Sequence, residues 1–553
     1  MTFHIASLIV AFGLVSAAWP LPAHGKHIAV LGGMMKSHHI SVVPMIEGLL
    51  ERGHKVSFLM PATSEAKAYF PKGIGNASMV YLGTQEWSFD NLFSGQDIDT
   101  KNQPWHKKIV TFAKLLWSYR AALEKPILSM HEELVEWTKQ PGIDAFLLHM
   151  ASFGSVPVVE ASGIPVVGYL SFPAVPFLFV HDADEVCRYP NMMKPPRVED
   201  LKSSLMTRVA NHMQCRFLQG YMIVAEHEIS AILHTKGLTM PRGSLIKTMT
   251  GVPHGIVFGG PPLSSKLPLP RGLHLVGTVE RPKPHPIPAD MLRWLDSAKD
   301  VGAPVIYVSL GTKYEFTETT CSQLVTLLHD MIEKLHLRVL WSLRASQQEK
   351  LSSLLPNQDA SIRIEKFTPQ PEVLQHSAVK VFLSHCGWGG VTDAVAAGMP
   401  ILAFPGMSEQ FLNARGLEDA GAGIMLNDDF SNLFESTREL LQNSTYAKKS
   451  KDAGDTLRSY GGIERALEIV EGAANGQHLI PDPKVHAMMN GVDEFFKKPQ
   501  VLEQWISLVL FLAIFSSLLL VPCCCCCCLW RCCWRKKTSG VEGVADANAK
   551  KTQ

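Results

Sequence analysis

A chain of 553 residues is too long for one ordinary hydrophobic core, so about two domains with accessory segments are expected. Lys and Arg (52) balance Asp and Glu (51) and the charges are spread along the chain, which removes the electrostatic footprint that nucleic acid or a strongly charged partner needs. Of 12 cysteines only Cys187, Cys215, Cys321 and Cys386 lie in the body; they make no disulfide framework, His212 with Cys215 lacks the second ligand pair of a structural zinc site, and the adjacent His385 and Cys386 cannot both face one metal from a single strand end.

In chain order, the first signal is Ile5–Ala18, an apolar stretch followed by small residues that reads as a signal peptide over 1–25. His27–Leu31 is a short apolar run ending in Gly32-Gly33 and leading through Ser37-His38-His39 into a helical pattern over Val42–Leu50. Arg52-Gly53-His54 closes that helix and Val56–Met60 reads as the next strand, so the chain opens on a βαβ unit of a parallel sheet. Trp105–Trp137 is amphipathic and helical, and strands at Ala145–Leu148 and Pro165–Tyr169 flank a helix near Val156–Ala161. These alternations define a first domain over 26–260, after which proline, glycine and serine mark 261–290 as a linker. The rhythm restarts with strand Val305–Leu310, turn Gly311-Thr312 and helix Thr319–Leu335. Strands at Val339–Leu343, Val381–Ser384 and Ile401–Phe404 follow, giving a second domain over 291–500.

From Trp505 to Val521 no residue is charged, and with the cysteines after Pro522 the stretch approaches the roughly 20 residues of a bilayer core, so 501–530 reads as a transmembrane segment. Arg531, Arg535, Lys536 and Lys537 follow directly. The positive-inside bias then puts the 531–553 tail in the cytosol and both domains in the lumen, where Asn76-Ala77-Ser78 and Asn443-Ser444-Thr445 are glycosylation acceptors.

The stretch most informative about chemistry runs from Phe367 to Asn413. A strand ends at His385, a glycine-rich turn Gly387–Gly390 follows, and a helix begins near Val391; backbone N–H groups at such a helix start hold a pyrophosphate without a metal. The words FTPQPEVLQH, FLSHCGWGGVTDAVAAGMP and PGMSEQFLN resemble the donor signature of the UDP-glycosyltransferases, the inverting family that includes glucuronosyltransferases and plant glucosyltransferases. Phe367, Pro369, Gln370, His376, His385, Gly387, Asp393, Gly398, Pro400, Glu409, Gln410 and Asn413 stand in register with it. The resemblance covers essentially the whole chain. It implies an α/β protein of GT-B fold, two Rossmann-like domains facing a cleft, here with a C-terminal transmembrane helix. It also implies that Phe367 stacks on uracil in place of the usual tryptophan, that Gln370 helps hold the nucleoside, and that Thr312 and His385 contact phosphate beside Gly387 and the Gly390 backbone. Asp393 would accept from the ribose hydroxyls, and Glu409 with Gln410 would read the sugar. Gly389 departs from the family's asparagine or histidine.

In the first half, SHHISVVPMIEGLLERGH resembles the family's acceptor-base segment, and the register back from Arg52 puts the base at His38 rather than His39. An imidazole with a pKa near 6.5 takes a hydroxyl proton at neutral pH as that oxygen attacks the anomeric carbon. The family's orienting aspartate falls here on His149, the second catalytic position. A neutral His149 can accept a hydrogen bond from His38 and fix its tautomer; alternatively a carboxylate such as Asp144 takes that role.

The implied activity is transfer of glucose or glucuronic acid from a UDP-sugar to a hydroxyl of a small lipophilic acceptor, with inversion. A non-catalytic protein of the same fold that binds UDP-sugar or a lipophile is the second reading, with His149 as its foothold. No metal or other cofactor is expected: the triplets Asp97–Asp99 and Asp182–Asp184 do not follow a strand closely, and no lysine has the setting of a pyridoxal phosphate site. The expected partners are the UDP-sugar, the acceptor and the bilayer, with no nucleic acid, and a homo-oligomer is compatible with the sequence. Lys550 and Lys551 match the dilysine retrieval signal of lumenal family members, so the expected residence is the endoplasmic reticulum membrane, single-pass and type I.

Overall fold

The computed structural model describes residues 25–513 apart from 84–129, 174–183, 238–253 and the short stretches 34–35, 151, 153–154, 192–194, 236, 268, 270–271, 280–284, 312–313, 407–408 and 511. Leucine- and valine-rich runs too short for a helix become buried parallel strands, as the alternation with helices requires. β1 (His27–Leu31), β2 (Lys55–Pro61), β3 (Ser78–Leu82), β4 (Ala145–His149), β5 (Val166–Leu170), β6 (His254–Val257) and β7 (Leu273–Leu275) form one sheet in the order 3-2-1-4-5-6-7. β8 (Val305–Ser309), β9 (Arg338–Ser342), β10 (Ile362–Glu365), β11 (Val379–Ser384), β12 (Ile401–Ala403) and β13 (Gly423–Met425) form the other in the order 10-9-8-11-12-13. Every pairing is parallel.

In each sheet the strand order reverses once, between β1 and β4 and between β8 and β11. Connections leave such a switch point toward opposite faces, which opens a crevice at the carboxyl ends of the strands. The pairings Leu31 with Leu148 and Ser309 with Ser384 bring the chain ends after β1 and β4, and after β8 and β11, side by side.

Two features depart from the boundaries read in the sequence. β7 lies inside the 261–290 stretch and completes the first sheet at its edge. The helix Gly462–Ala474, late in the second half, returns to pack on β4, β5, β6 and the helix Val43–Glu51 of the first. It buries Ala466, Leu467, Ile469, Val470 and Ala473 there, and its Glu464 and Glu471 pair with Arg52 while Glu471 also meets His54. The connection itself passes through Gly259 and Gly260, both at positive φ, where an added Cβ would stand 2.8 Å from Trp388 and 2.7 Å from Tyr460. Tyr460 donates its hydroxyl to the Pro261 carbonyl at 2.6 Å.

Among the described residues no helix is long and apolar enough to cross a membrane. Residues 511 and 514–530 of the expected span, residues 1–24 of the signal peptide and the tail lie outside the described residues, as does 105–129 of the long amphipathic stretch. The described start of the span, 501–510, is helical and turned inside out: Gln500, Glu503 and Ser507 are buried while Val501, Leu502, Trp505 and Val509 face outward. Its polar side docks on the helix Leu205–His234, where Arg208 Nε donates to Glu503 Oε1 at 2.6 Å and His212 Nε2 meets Gln500 Oε1 at 3.0 Å.

The body cysteines hold one bridge that the sequence reading lacks: Cys187, in the short turn Val186–Arg188, is bonded to Cys215 of the helix Leu205–His234. Their spacing in sequence carries no geometric signal, since only the fold brings the two Cα atoms to 5.3 Å. Replacing both by serine is expected to lower the unfolding free energy of the first domain by about 3 kcal/mol. Urea unfolding of oxidised protein checks this, and an unchanged midpoint overturns it.

Candidate active site

The first cluster is built at the β1–β4 switch point. Gly32 and Gly33 turn the chain out of β1, and the helix starts at Lys36, earlier than Val42, running to Ser41 before a break leads into Val43–Glu51 with Pro44 in its first turn. The two adjacent histidines therefore point to different places. His39 is buried against the rings of Phe58 and Tyr69, with its edge on Gly32. His38 is half-buried, with Nδ1 sealed from solvent and without a hydrogen-bond partner.

His149, at the end of β4, lies face to face with His38: the ring centroids are 4.2 Å apart and the planes 14° from parallel. In-plane N–H and lone-pair directions of stacked rings run side by side, so the expected His38–His149 hydrogen bond is absent. His149 Nε2 is instead 3.0 Å from Ser171 Oγ, and its ring stands edge-on to Tyr169 at 4.9 Å. Asp144 does not substitute. It sits at the opposite end of β4, five residues of extended chain away, accepting from the His27 backbone N–H at 2.8 Å and from Lys26 Nζ at 3.4 Å. Burial, with a small contribution from His39, holds His38 down to about 3; burial and the two neighbouring histidines hold His149 well below the usual range.

The second cluster lies at the β8–β11 switch point. β11 ends at Ser384, His385 and Cys386 form the turn, and the helix begins at Trp388 rather than near Val391, so Gly389 and Gly390 belong to its first turn. Cys386 takes a left-handed φ of 62°, held by its N–H donating to Ser384 Oγ at 3.1 Å and by Asn413 Nδ2 donating to its carbonyl at 2.9 Å. The His385 ring is lodged between Gly311 and Gly387, where added Cβ atoms would stand 2.6 and 2.5 Å from it, and burial holds its pKa down to about 4.

Beside the helix start, Gln370 Nε2 donates to Asp393 Oδ2 at 2.8 Å, and the Tyr307 hydroxyl lies 2.5 Å from Thr368 Oγ1 and donates to Gln370 Oε1 at 3.4 Å. The Gly390 Cβ position is 3.7 Å from Gln370 Nε2. Glu409 and Gln410 open the helix Glu409–Asp419, with the Gly406 N–H donating to Gln410 Oε1 at 3.0 Å. Phe367 is 74% exposed, an outlay of apolar surface that a stacking partner would cover. Thr312 lies outside the described residues. At Gly389 an added Cβ meets nothing within 4 Å, so the family's larger side chain is missing from an open position. No three His, Cys, Asp or Glu among the described residues are grouped to hold a metal; Asp184 is ion-paired with Arg216, and Asp97–Asp99, Asp182 and Ala183 lie outside the described residues.

A family model described as UDP-glucoronosyl and UDP-glucosyl transferase matches residues 29–450, more than half of the chain. The chain belongs to that family. It is similar to UDP-glycosyltransferase 90A1 of Arabidopsis thaliana, 30% identical over 192 residues that make up 33% of this chain and 39% of the relative. Anthocyanidin 3-O-glucosyltransferase 2 of Fragaria ananassa is 36% identical over 23% of this chain and 26% of its own length. A putative UDP-glucuronosyltransferase of Caenorhabditis elegans, ugt-47, is 28% identical over 30% and 32%. These matches thus span well under half of the relatives' own lengths. Among solved structures, the glycotransferase of kitacinnamycin superposes with a TM-score of 0.54 at 18% identity, covering 81% of this chain and 99% of that one. UDP-glucose: anthocyanidin 3-O-glucosyltransferase in complex with UDP gives 0.52 at 17% identity, covering 82% and 100%. The fold of this family member is accordingly GT-B.

Several residues that shape the clusters escape a sequence reading. Tyr169 on β5 and Ser171 just after it meet His149 only through sheet register, which no local pattern encodes. Tyr307, inside a strand, reads as core. The glycines did carry a signal, because a double glycine after a strand marks a close approach of backbone to something else. At Gly33 that something is both imidazoles: an added Cβ would lie 2.5 Å from His38 Nδ1 and 2.8 Å from His149 Nδ1. Gly33→Ala is expected to displace the stack and cut turnover at least about 10-fold while leaving UDP-induced stabilisation intact, since misplaced catalytic geometry costs on the order of 10²-fold. Steady-state rates alongside a UDP thermal shift check this; unchanged turnover overturns it.

Proposed function

We propose that this chain transfers a hexosyl group, glucose or glucuronic acid, from a UDP-sugar to a hydroxyl of a small lipophilic acceptor. The observation that carries the reading is the pairing of two unlike clusters, an imidazole stack at one switch point and a glycine-bounded helix start at the other. The helix start and His385 hold the pyrophosphate through backbone N–H groups and the helix dipole, which also favours the charge that builds on the departing UDP. Gln370 and Asp393, bonded to each other, hold the nucleoside, and Phe367 stacks on the base. His38 takes the acceptor proton, the freed oxygen bonds to the anomeric carbon as its bond to UDP breaks, and a single displacement inverts that carbon.

The buried disulfide supports an oxidising compartment, and the outward apolar side of 501–510 supports continuation into a lipid layer. We therefore place both domains in the lumen of the endoplasmic reticulum, anchored by the 501–530 segment and retrieved through Lys550 and Lys551. The second reading, binding without turnover, keeps its foothold in the replacement of a carboxylate by His149.

UDP at one hundred times its Kd is expected to stabilise the protein by about 2.7 kcal/mol, seen as a higher Tm without added metal. His385→Ala should remove most of the gain. Stabilisation that requires manganese and vanishes with chelator overturns the metal-free site.

His38→Ala is expected to lower turnover of a hydroxyl acceptor by about 10² to 10⁴ while UDP binding survives. Because the base must be neutral and its pKa is held down to about 3, kcat/KM should stay level as pH falls from 7 through 5 instead of declining below 6.5. A carboxylate favours the imidazolium, so His149→Asp should move the acidic limb back toward neutrality. A wild-type limb near 6.5 overturns the assignment. A chain that binds UDP-sugar and glycosylates nothing across a broad acceptor panel favours the binding-only reading.

A further inference from the structure

His38 has two ring nitrogens in unlike surroundings. Nδ1 faces Gly33 and has no acceptor, so a proton there is buried with an unmade hydrogen bond, whereas a proton on Nε2 meets the open side of the half-buried ring. The resting tautomer therefore carries its proton on Nε2, as a donor, and the base-competent tautomer is the disfavoured one. His149 does not reverse this preference, because its ring lies parallel to His38 with Nε2 against Ser171 Oγ. No described carboxylate acts on His38. Burial opposes a positive charge on it, and the neighbouring His39 opposes it further.

Resting on the transferase reading above, we propose that the His38–His149 stack makes the acceptor's own acidity the selector: the site glycosylates phenols and carboxylic acids and turns over aliphatic alcohols poorly. A carboxylic acid, with a pKa near 4, arrives ionised. Its oxygen accepts a hydrogen bond from His38 Nε2–H and attacks the anomeric carbon; the new C–O bond forms, the bond to UDP breaks with its electron pair leaving on UDP, and no proton moves. A phenol, near 10, gives up its O–H proton to Nε2 of the minor tautomer as the same two bonds exchange, and the imidazolium loses a proton to solvent after product leaves. An aliphatic alcohol is as weak an acid as water, about 15.7, and needs the strong base that a carboxylate behind His38 would make. His149 is thus a positioning residue, acting on acceptor choice through His38.

The test uses the full-length protein with three acceptors of one shape: 4-tert-butylphenol, 4-tert-butylbenzoic acid and 4-tert-butylbenzyl alcohol. In wild type at pH 7, kcat/KM for the phenol and the acid should exceed that for the alcohol by at least about 100-fold, the lower range of a general-base effect. His149→Asp should narrow the gap at least about 10-fold by raising kcat for the alcohol, with KM for each acceptor little changed. His149→Asn, which supplies an acceptor atom without charge, should narrow it less. Alcohol turnover within 10-fold of the phenol in wild type overturns the inference, and the wild-type comparison decides even where a variant fails to fold. An equal rise for all three acceptors in His149→Asp also overturns it. Absence of all three glycosides from protein that still binds UDP sinks the transferase reading itself, and the inference with it.

Discussion

At both switch points a histidine ring fits only because the backbone beside it lacks a Cβ. Gly33 faces the Nδ1 edges of His38 and His149, and Gly311 and Gly387 enclose His385. Each contact is closer than any side chain permits, so the strands, the turns and the rings are placed by one another. Strand order supplies the crevice, glycine supplies the approach, and the imidazoles fill it. The turn after β11 then needs a further support, because Cys386 adopts a conformation that L-residues disfavour; Ser384 and Asn413 hold it from two sides. Asn413 comes from the helix that Glu409 and Gln410 open, so the segment that would read the sugar also fixes the segment that would hold the phosphates.

The two halves are electrically unlike. In the first, burial keeps His38 and His149 neutral and His38 further disfavours a proton on His149, so among the described residues the cluster offers dipoles and no fixed charge. In the second, the helix start contributes partial positive charge through backbone groups, and burial keeps His385 neutral as well. Positive potential in the second half is thus carried by main chain, which needs no reorganisation when charge nearby shifts. Desolvation pushes the buried Cys386 thiol up, away from the reactive thiolate.

Much of the fold was legible because parallel strands buried on both faces leave continuous apolar runs. β1, β2, β4, β5, β8, β9, β11 and β12 were read close to their true limits, and the helix start after His385 was found within three residues. Three-residue β7 was read as linker because its flanks are rich in proline and its own length falls below any periodic signal. The return of Gly462–Ala474 to the first sheet is a tertiary fact without a local mark. The cluster after β11 was legible by resemblance since its residues are near in sequence and keep fixed spacing. The cluster after β1 and β4 was legible in composition and not in geometry. His38 and His149 were both named, yet whether two imidazoles meet edge to edge or face to face depends on Gly33 after β1 and on Tyr169 and Ser171 at the end of β5.

The returning helix sets an order on how the chain is made. The first sheet is fully translated when β7 ends at Leu275, but the helix that covers β4, β5 and β6 ends at Ala474. At about 5–20 residues per second, the roughly 200 intervening residues take about 10–40 s to emerge. Through that interval the sheet surface later covered by Leu467, Ile469 and Val470 is open, and before it ends the second domain, whose last strand closes at Met425, has all its strands. The half made first is therefore finished last. A ribosome stalled before residue 462 would carry every strand of both sheets and a first domain whose β4–β6 surface is still uncovered.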